Sequence, residues 1–386
     1  MKKGLLLSVV ATGFIFAGGN IAPVAPVAQP QVAPAACDFW GTIAVRYDAH
    51  KDGEFNIGDT ENNKAALAIA MGVEKQIGAG FGLGAEVDAG FLTDGEFNTL
   101  GSLDKKEFSG LSQLYVTYKA GNTVIKAGRQ ALPKAVSPLA FTERGTLGGV
   151  PLQTYNGVTL VNTDVENTTL VAAWVRSTYN TLTNDNTKVG DKGVFMLGAI
   201  NKSIANTTLS FAGYYAKKGN ALPADLTTVF GAAETKAGDV KLGLQLAYSK
   251  LKGADKTFGV AAYAATNFNG LDAKLTLAYI NDGVAPLTVT PGVSAFWGAT
   301  WRVMGGNANG AKQKIARLDL GYKVGAGKVY GGVAADKADG KSTAVAARIG
   351  YDFKIADVNA KVEYRYNKNF AKVKNHRVRV QGVYKF

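Results

Sequence analysis

Side chains that could carry out catalysis or bind a metal are few in this chain of 386 residues. It has one cysteine, Cys37, and two histidines, His50 and His376. Protein zinc sites use three or four ligands, mostly Cys and His, so this set is too small to build one. Neither histidine has a visible Ser or Cys nucleophile as its partner, and no nucleophile-elbow, P-loop or HExxH motif occurs. We therefore expect no enzymatic activity, no bound metal and no cofactor.

Two nearby carboxylates, Glu86 and Asp88, are separated by one residue. On a β-strand, residues i and i+2 face the same side, so these two could hold a divalent cation. A hydrated acidic pair inside a water-filled space is the simpler interpretation. Both interpretations require that the residues around the pair form a strand.

The segment around this pair has the period of a strand. Every second residue is apolar and the positions between are glycine or acidic; the apolar set is Phe81, Leu83, Ala85, Val87, Ala89 and Phe91. Its two outermost aromatics are separated by roughly 33 Å along a strand, or about 25 Å in height after tilting. That height matches the lipid-facing band of an outer-membrane barrel.

Alternation of this kind continues from Asp38 to the last residue, and no helical period is sustained. The pattern predicts strands at 38–48, 63–77, 81–92, 109–120, 123–131, 157–163, 168–177, 192–203, 206–217, 226–236, 239–250, 256–267, 271–281, 312–322, 327–336, 341–352, 357–367 and 375–386. The alternation is weakest over 226–236. Short and long connections alternate, as in outer-membrane barrels. The expected fold class is all-β: a transmembrane antiparallel β-barrel of about 18 strands over residues 38–386, with 16 strands as the alternative.

The amino-terminal residues indicate export. Residues 1–22 have the features of a secretory signal peptide, because two lysines precede an apolar run too short to span a membrane as a helix. Residues 23–37 are rich in Pro and Ala and are expected to form an extended linker. No other stretch reaches 18 consecutive apolar residues. A bundle of membrane helices is therefore not expected.

Three segments carry a resemblance to known proteins: 113–119 (QLYVTYK), 124–132 (VIKAGRQAL) and 378–386 (VRVQGVYKF). The chain resembles Gram-negative outer-membrane porins, and looks most like the major outer membrane porins of the Campylobacter group. That resemblance implies contact with outer-membrane lipid, a homotrimer, and passive diffusion of ions and small hydrophilic solutes. It also implies that Tyr384 and Phe386, in the last strand, belong to an assembly signal read by the barrel-insertion machinery.

The connection 130–156 follows the fifth predicted strand, where porins place the loop that narrows the channel. Prolines stiffen this segment and glycines permit sharp turns, so it is suited to folding inward against a wall. Lys134, Glu143 and Arg144 are its candidate constriction residues. An ordinary surface loop is the alternative.

Charged residues at inward positions of the predicted strands would line the channel. The candidate pore-lining residues are Arg46, Glu86, Asp88, Lys119, Arg317, Asp319, Arg348, Arg365, Arg377 and Arg379. Barrel closure would bring Arg46 beside the last strand and complete a basic wall, which predicts a weak anion preference. Alternatively, lumenal pairs neutralise the wall: Arg317 with Asp319, Arg348 with Asp352, and Glu363 with Arg365. Bulges near 126–129 or 174–176 would change which residues point inward.

A second function, from another class, is open to a barrel with long loops. Loops 49–62, 93–108 and 282–311 could bind host or surface partners while the lumen is plugged, as in an outer-membrane adhesin or structural barrel. A formal net charge of +13 is also typical of nucleic-acid-binding proteins, but the basic residues here are spread over the strands without a recognition motif. The sequence favours a porin, with no nucleic acid as partner.

Overall fold

The computed structural model describes residues 37–52, 64–92, 107–139, 146–219, 222–281 and 312–386. In these ranges the chain forms strands joined by turns, and no helix is long and apolar enough to cross a membrane. The strands are β1 (Asp38–Asp52), β2 (Lys64–Gly78), β3 (Phe81–Leu92), β4 (Glu107–Ala120), β5 (Thr123–Gln130), β6 (Thr146–Leu147), β7 (Val150–Pro151), β8 (Gln153–Asn162), β9 (Thr168–Asn180), β10 (Asp185–Lys188), β11 (Val194–Asn201), β12 (Thr207–Ala216), β13 (Leu226–Ala237), β14 (Val240–Leu251), β15 (Lys256–Phe268), β16 (Leu271–Ile280), β17 (Gln313–Val324), β18 (Gly327–Lys337), β19 (Ala344–Ile355), β20 (Val358–Lys368) and β21 (Lys374–Lys385). The predicted signal peptide and nearly all of the predicted linker lie outside the described residues.

Eighteen of these strands form one closed antiparallel barrel. The first strand, β1, pairs with the last, β21, from Thr42 opposite Lys385 to Asp52 opposite Asn375. The short β10 extends the sheet beside β9, whereas β6 and β7 pair only with each other. Every predicted strand has a counterpart, including the weakest, which is β13. The predicted fold class is confirmed, and the alternative of 16 strands is wrong.

The two ends of the barrel differ in their connections. Turns of two residues close one end, for example 79–80, 121–122 and 325–326, and we call this the short-turn end. The opposite end, where β1 finishes and β2 begins, carries the longer connections and is the long-loop end. Such a division is typical of outer-membrane barrels.

Side chains alternate between the two faces of the wall. In β3, Phe81, Leu83, Val87 and Phe91 are exposed on the outside, and the residues between them are buried or half-buried toward the lumen. Other strands repeat this arrangement, so the outer surface is a largely apolar band. An apolar surface of that extent is stable against lipid rather than water.

Two glycines allow inward aromatic rings to lie flat against the wall. A Cβ atom on Gly72 would come within 2.2 Å of Trp40, and one on Gly84 within 2.3 Å of Tyr115. Any larger residue at these positions would push the rings away. Each ring crosses the strand that carries its glycine and donates a hydrogen bond to an acidic side chain two strands away, Trp40 to Glu86 and Tyr115 to Glu74.

Register shifts interrupt the strand pairing at three places. Opposite Phe81 and Gly82, β2 carries Ile77 as an extra residue. Opposite Glu86 and Val87, β4 carries Ser112 as an extra residue. Opposite Asn156 and Gly157, β9 carries Arg176 as an extra residue. The shift predicted near 174–176 is therefore confirmed. The one predicted near 126–129 is wrong, because β4 and β5 pair without interruption through those residues.

Candidate functional site

Six arginines line one side of the lumen, and we call them the arginine row. Its members are Arg317 on β17, Arg348 on β19, Arg365 on β20, Arg377 and Arg379 on β21, and Arg46 on β1. Their side chains keep between 8% and 22% of their surface exposed. The guanidinium groups therefore lie along the wall rather than extending freely into the lumen. Inward parity on the strands predicted all six positions.

Two carboxylates bridge the arginines of β17, β19 and β20. Asp319 accepts hydrogen bonds from Arg317 Nη2 at 2.9 Å and from Arg348 Nη2 at 2.8 Å. Glu363 accepts one from Arg365 Nη2 at 2.8 Å and lies 3.9 Å from Arg348 Nη1. Charge-assisted bonds of this kind fix the planes of the guanidinium groups.

The row continues across the seam where the barrel closes. Glu363 also lies 3.5 Å from Arg377 Nη2. Asp48 accepts two hydrogen bonds from Arg379, at 2.7 and 2.9 Å, and another from Arg46 Nη2 at 2.6 Å. Among the described residues, six guanidinium groups thus share three carboxylates, an excess of three positive charges within the arginine row.

The predicted lumenal pairs are present in two of three cases. Arg317 pairs with Asp319, and Glu363 pairs with Arg365. Arg348 does not pair with Asp352, which lies 3.5 Å from Lys361 instead. The reason is distance, because residues four apart on one strand are separated by roughly 13 Å. The Cα of Asp319 lies about 10 Å from that of Arg348 across two strands, since both are opposite Gly332 of β18, and Glu363 is diagonal to Arg348 on the adjacent strand.

The wall formed by β2, β3 and β4 carries acidic side chains, among them Glu86 and Asp88. Glu86 accepts hydrogen bonds from Trp40 Nε1 at 3.0 Å, Ser112 Oγ at 3.0 Å and Gln113 Nε2 at 2.9 Å. Its neighbour on the same face, Asp88, is 1% exposed, and neither carboxylate oxygen has a hydrogen-bond partner among the described residues. In the described part of the chain, no group of three or more His, Cys, Asp and Glu is placed to hold a metal ion.

Some predicted site residues lie away from the arginine row. Lys119 is exposed beside the 121–122 turn at the short-turn end. Tyr384 and Phe386 lie at the same end on the outer face, with ring centres 5.7 Å apart. Lys134 is exposed in the connection between β5 and β8. Glu143 and Arg144 lie outside the described residues.

The first part of that connection packs against the inner wall beside β12. Val136 and Leu139 are buried in an apolar cluster with inward residues such as Met196 and Tyr214. The Tyr214 hydroxyl accepts a hydrogen bond from the Leu139 amide at 3.3 Å and lies 3.2 Å from Ser137 Oγ. The segment after β5 therefore folds into the barrel.

The second part, 146–152, packs on a different sector of the wall. Its buried residues Leu147 and Val150 join a cluster with inward alanines of β1 and β2. Gly148 lies at the turn between β6 and β7 with a φ of 61°, and a Cβ there would be 2.5 Å from Ala44 Cβ. Ala44 is two positions before Arg46, so this turn lies next to the arginine row.

These two contacts lie nearly opposite one another. β12 is the ninth and β1 the first of the eighteen barrel strands. The described parts of the 130–156 loop thus contact both sides of the lumen. The expectation of an inward fold agrees with this packing, whereas the sequence carried no local indication that Tyr214 or Ala44 would be the contact points.

A charged recess that the sequence did not single out lies between the arginine row and the short-turn end. Its volume is about 660 Å³, and its charged lining residues are Lys323, Lys328, Lys354, Lys361, Asp272 and Asp352. Lys328 is ion-paired with Asp272, and Lys361 with Asp352. Of the other two lysines, Lys354 lies 3.6 Å from the Asp357 carboxylate, whereas Lys323 extends the positive charge of the row toward this mouth. The sequence signal for this recess was that its lysines occupy inward positions of the alternating pattern near the strand ends.

Solved structures with the same architecture cover nearly the whole chain. OccK8 (OprE) of Pseudomonas aeruginosa superposes with a TM-score of 0.72 at 13% identity, over 91% of this chain and 98% of its own. The outer membrane protein OpdK of the same organism, in a structure with vanillate, gives 0.71 at 14% identity over 90% and 98%. The chain therefore has a porin fold. A BenF-like porin from Pseudomonas fluorescens Pf-5 gives 0.71 at 14% identity over 91% and 98%.

Likeness at this level of identity establishes the barrel and its topology. No protein-family model matches the chain, and no curated protein matches its sequence. The resemblance to the Campylobacter group consequently stays a prediction.

Proposed function

We propose that this porin-fold chain acts as a porin of a Gram-negative outer membrane, allowing ions and small hydrophilic solutes to diffuse passively, without a chemical step. The observation that carries the proposal is the position of the 130–156 loop, whose two described parts contact nearly opposite walls, the second of them next to the arginine row. A loop packed there would narrow a wide lumen and set an upper size for solutes. In this arrangement the short-turn end faces the periplasm.

Charge would set the second criterion of selection. The excess of three positive charges in the arginine row, continued by Lys323 of the recess, creates a field that attracts anions along one wall. Ion pairing with the three carboxylates limits this field, so we propose a weak anion preference. The neighbour OpdK was solved with vanillate, a carboxylate, and small carboxylates are the solute class that this wall suits.

Further parts of the proposal rest on the sequence. These are export by the signal peptide 1–22, a linker over 23–37, assembly as a homotrimer, constriction by Lys134, Glu143 and Arg144, and recognition of Tyr384 and Phe386 by the insertion machinery. Membership of the Campylobacter-group porins is proposed on the same ground.

Single-channel recording of the purified mature protein in a planar lipid bilayer tests the proposal. Conductance steps in groups of three are expected for a trimer of open channels. The reversal potential across a salt gradient is expected to have the sign of a weak anion preference. A correctly folded protein that inserts without conducting would refute the porin and favour the plugged adhesin or structural barrel.

A further inference from the structure

At the long-loop end, three pairs of lysines face each other directly across neighbouring strands. The pairs are Lys250 with Lys256 on β14 and β15, Lys314 with Lys337 on β17 and β18, and Lys368 with Lys374 on β20 and β21. A single strand, β16 or β19, separates one pair from the next. All six residues lie at the long-loop end, so they form a regular basic strip over about half the circumference.

The strip lies on the outer face of the barrel. Lys250 follows the exposed outward Tyr248 by two residues, and Lys256 precedes the exposed Phe258 by two. Strand alternation therefore points both ammonium groups outward. The other pairs have the same parity, with Tyr366 and His376 next to Lys368 and Lys374 on the same face. Two pairs thus stand just beyond aromatic residues at the edge of the apolar band, and Lys314 and Lys337 stand just beyond Ala316 and Ala335.

The opposite end of these strands has a different outer face. The outward residues there are Val240, Phe268, Tyr322, Val324, Val329, Val358 and Tyr384. They are apolar or aromatic, so the lysine strip is specific to one end. A general need for solubility at the membrane edge would place charges at both ends.

Like charges directly opposite each other destabilise a sheet. Among the described residues, no carboxylate lies within 4.0 Å of any of the six ammonium groups; the Lys337 ammonium donates to the backbone carbonyl of Lys341. A bound anion between two lysines would remove the repulsion and accept hydrogen bonds from both ammonium groups. The charge pattern therefore favours an anion bound between the two members of each pair.

We propose that this strip binds the phosphate groups of a phosphorylated lipid in the outer leaflet, while the acyl chains of that lipid cover the apolar band below. The inference rests on the proposed location of the barrel in an outer membrane. A lipid fits because the phosphate-binding groups and the apolar surface are adjacent on one face. Basic residues beside an anionic membrane surface each strengthen binding by roughly fivefold.

The test compares two variants with the same loss of charge. The strip variant carries Lys250→Gln, Lys256→Gln, Lys314→Gln and Lys337→Gln. The control carries Lys236→Gln, Lys241→Gln, Lys323→Gln and Lys328→Gln, which form two directly opposed pairs facing the lumen at the short-turn end. Fluorescent diphosphoryl lipid A is titrated into each folded protein in neutral detergent, and its anisotropy gives the dissociation constant.

We expect the strip variant to bind this lipid at least tenfold more weakly than both the native protein and the control. The native protein should also bind it more tightly than a dephosphorylated analogue, and raising the salt concentration should weaken binding. Equal binding by the two variants would overturn the proposal. Full competition by inorganic phosphate would overturn it too, in favour of a free-anion site.

Heat-modifiable migration in electrophoresis and conductance of the native protein are recorded alongside. A native protein that folds but neither inserts into bilayers nor conducts would refute the proposed function. A conducting native protein whose lipid affinity is insensitive to the strip would refute only this inference.

Discussion

Arg379 of β21 donates two parallel hydrogen bonds to Asp48 of β1, from Nε to Oδ1 at 2.7 Å and from Nη2 to Oδ2 at 2.9 Å. The pair spans the seam at which the last strand meets the first. Arg46 donates to the same carboxylate from the other side. One side chain thus contributes both to barrel closure and to the charge balance of the lumen.

Replacing Asp48 with Asn is expected to weaken closure and to increase anion preference. Two guanidinium groups would lose their carboxylate, at a cost of about 1–3 kcal/mol in the free energy of unfolding. Urea unfolding in lipid vesicles measures the first effect, and the reversal potential measures the second. Asp239→Asn, in the exposed 238–239 turn, makes the same charge change and should leave both quantities at their native values.

Removing positive charge from the arginine row is expected to shift selectivity toward cations. Arg348→Gln deletes a guanidinium that lies between Asp319 and Glu363. The ratio of anion to cation permeability should fall about two- to fivefold, since one unit charge a few ångströms from an ion is worth about 1 kcal/mol in water. Lys75→Gln, on the exposed outer position opposite Leu83, serves as the control for total charge. An unchanged reversal potential in Arg348→Gln would show that the row does not set selectivity.

The sequence was sufficient to locate the barrel strands, and the reason is physical. Lipid outside and water inside force a period of two on every strand, so even the weak alternation over 226–236 marked β13 correctly. The same parity placed the arginine row on the inner wall. Barrel closure, which brings Arg46 beside Arg379, followed from the even number of strands.

Which carboxylate each arginine contacts depends on the register between strands. The alternation of inward and outward residues along one strand does not determine that register. Arg348 contacts Asp319 and Glu363 on other strands rather than Asp352 on its own. The extra residue Ser112 in β4 adds a hydrogen-bond donor to Glu86 that strict alternation would have turned away. The contact of Gly148 with Ala44 joins residues about a hundred positions apart in sequence. No local pattern encodes such a contact.

The contact between the Gly148 turn and the inner wall can be tested with two glycines of nearly equal backbone geometry. Gly148 and Gly121 have φ values of 61° and 57°, so alanine at either position costs about 1–2 kcal/mol of backbone strain. Only at Gly148 would the new methyl group meet the wall, 2.5 Å from Ala44 Cβ; at Gly121 no atom lies within 4 Å. We expect Gly148→Ala to give larger and noisier conductance steps, and Gly121→Ala to conduct as the native channel does. Identical recordings from the two variants would mean that the turn does not narrow the pore.

The terminal residue is expected to matter for assembly beyond its contribution to the aromatic surface. The backbone of Phe386 exchanges two hydrogen bonds with Gly41, at 2.8 and 3.1 Å, and its ring lies where a Cβ of Gly41 would be. Phe386→Ala removes the ring that covers this seam and alters the proposed assembly signal. We expect the fraction of heat-modifiable, folded barrel in isolated outer membranes to fall severalfold.

Phe268→Ala is the matched control for that loss of an aromatic ring. Phe268 is 71% exposed on the outer face at the same short-turn end, but it lies on β15, far from the seam. Both variants lose the same lipid-facing group, so a general effect of aromatic anchoring would lower their folded fractions equally. A selective loss in Phe386→Ala would assign the effect to closure and assembly, and equal losses would contradict a special role for the terminal residue. Refolding of both purified variants into vesicles separates the two causes, because a seam defect persists there while recognition by the insertion machinery plays no part.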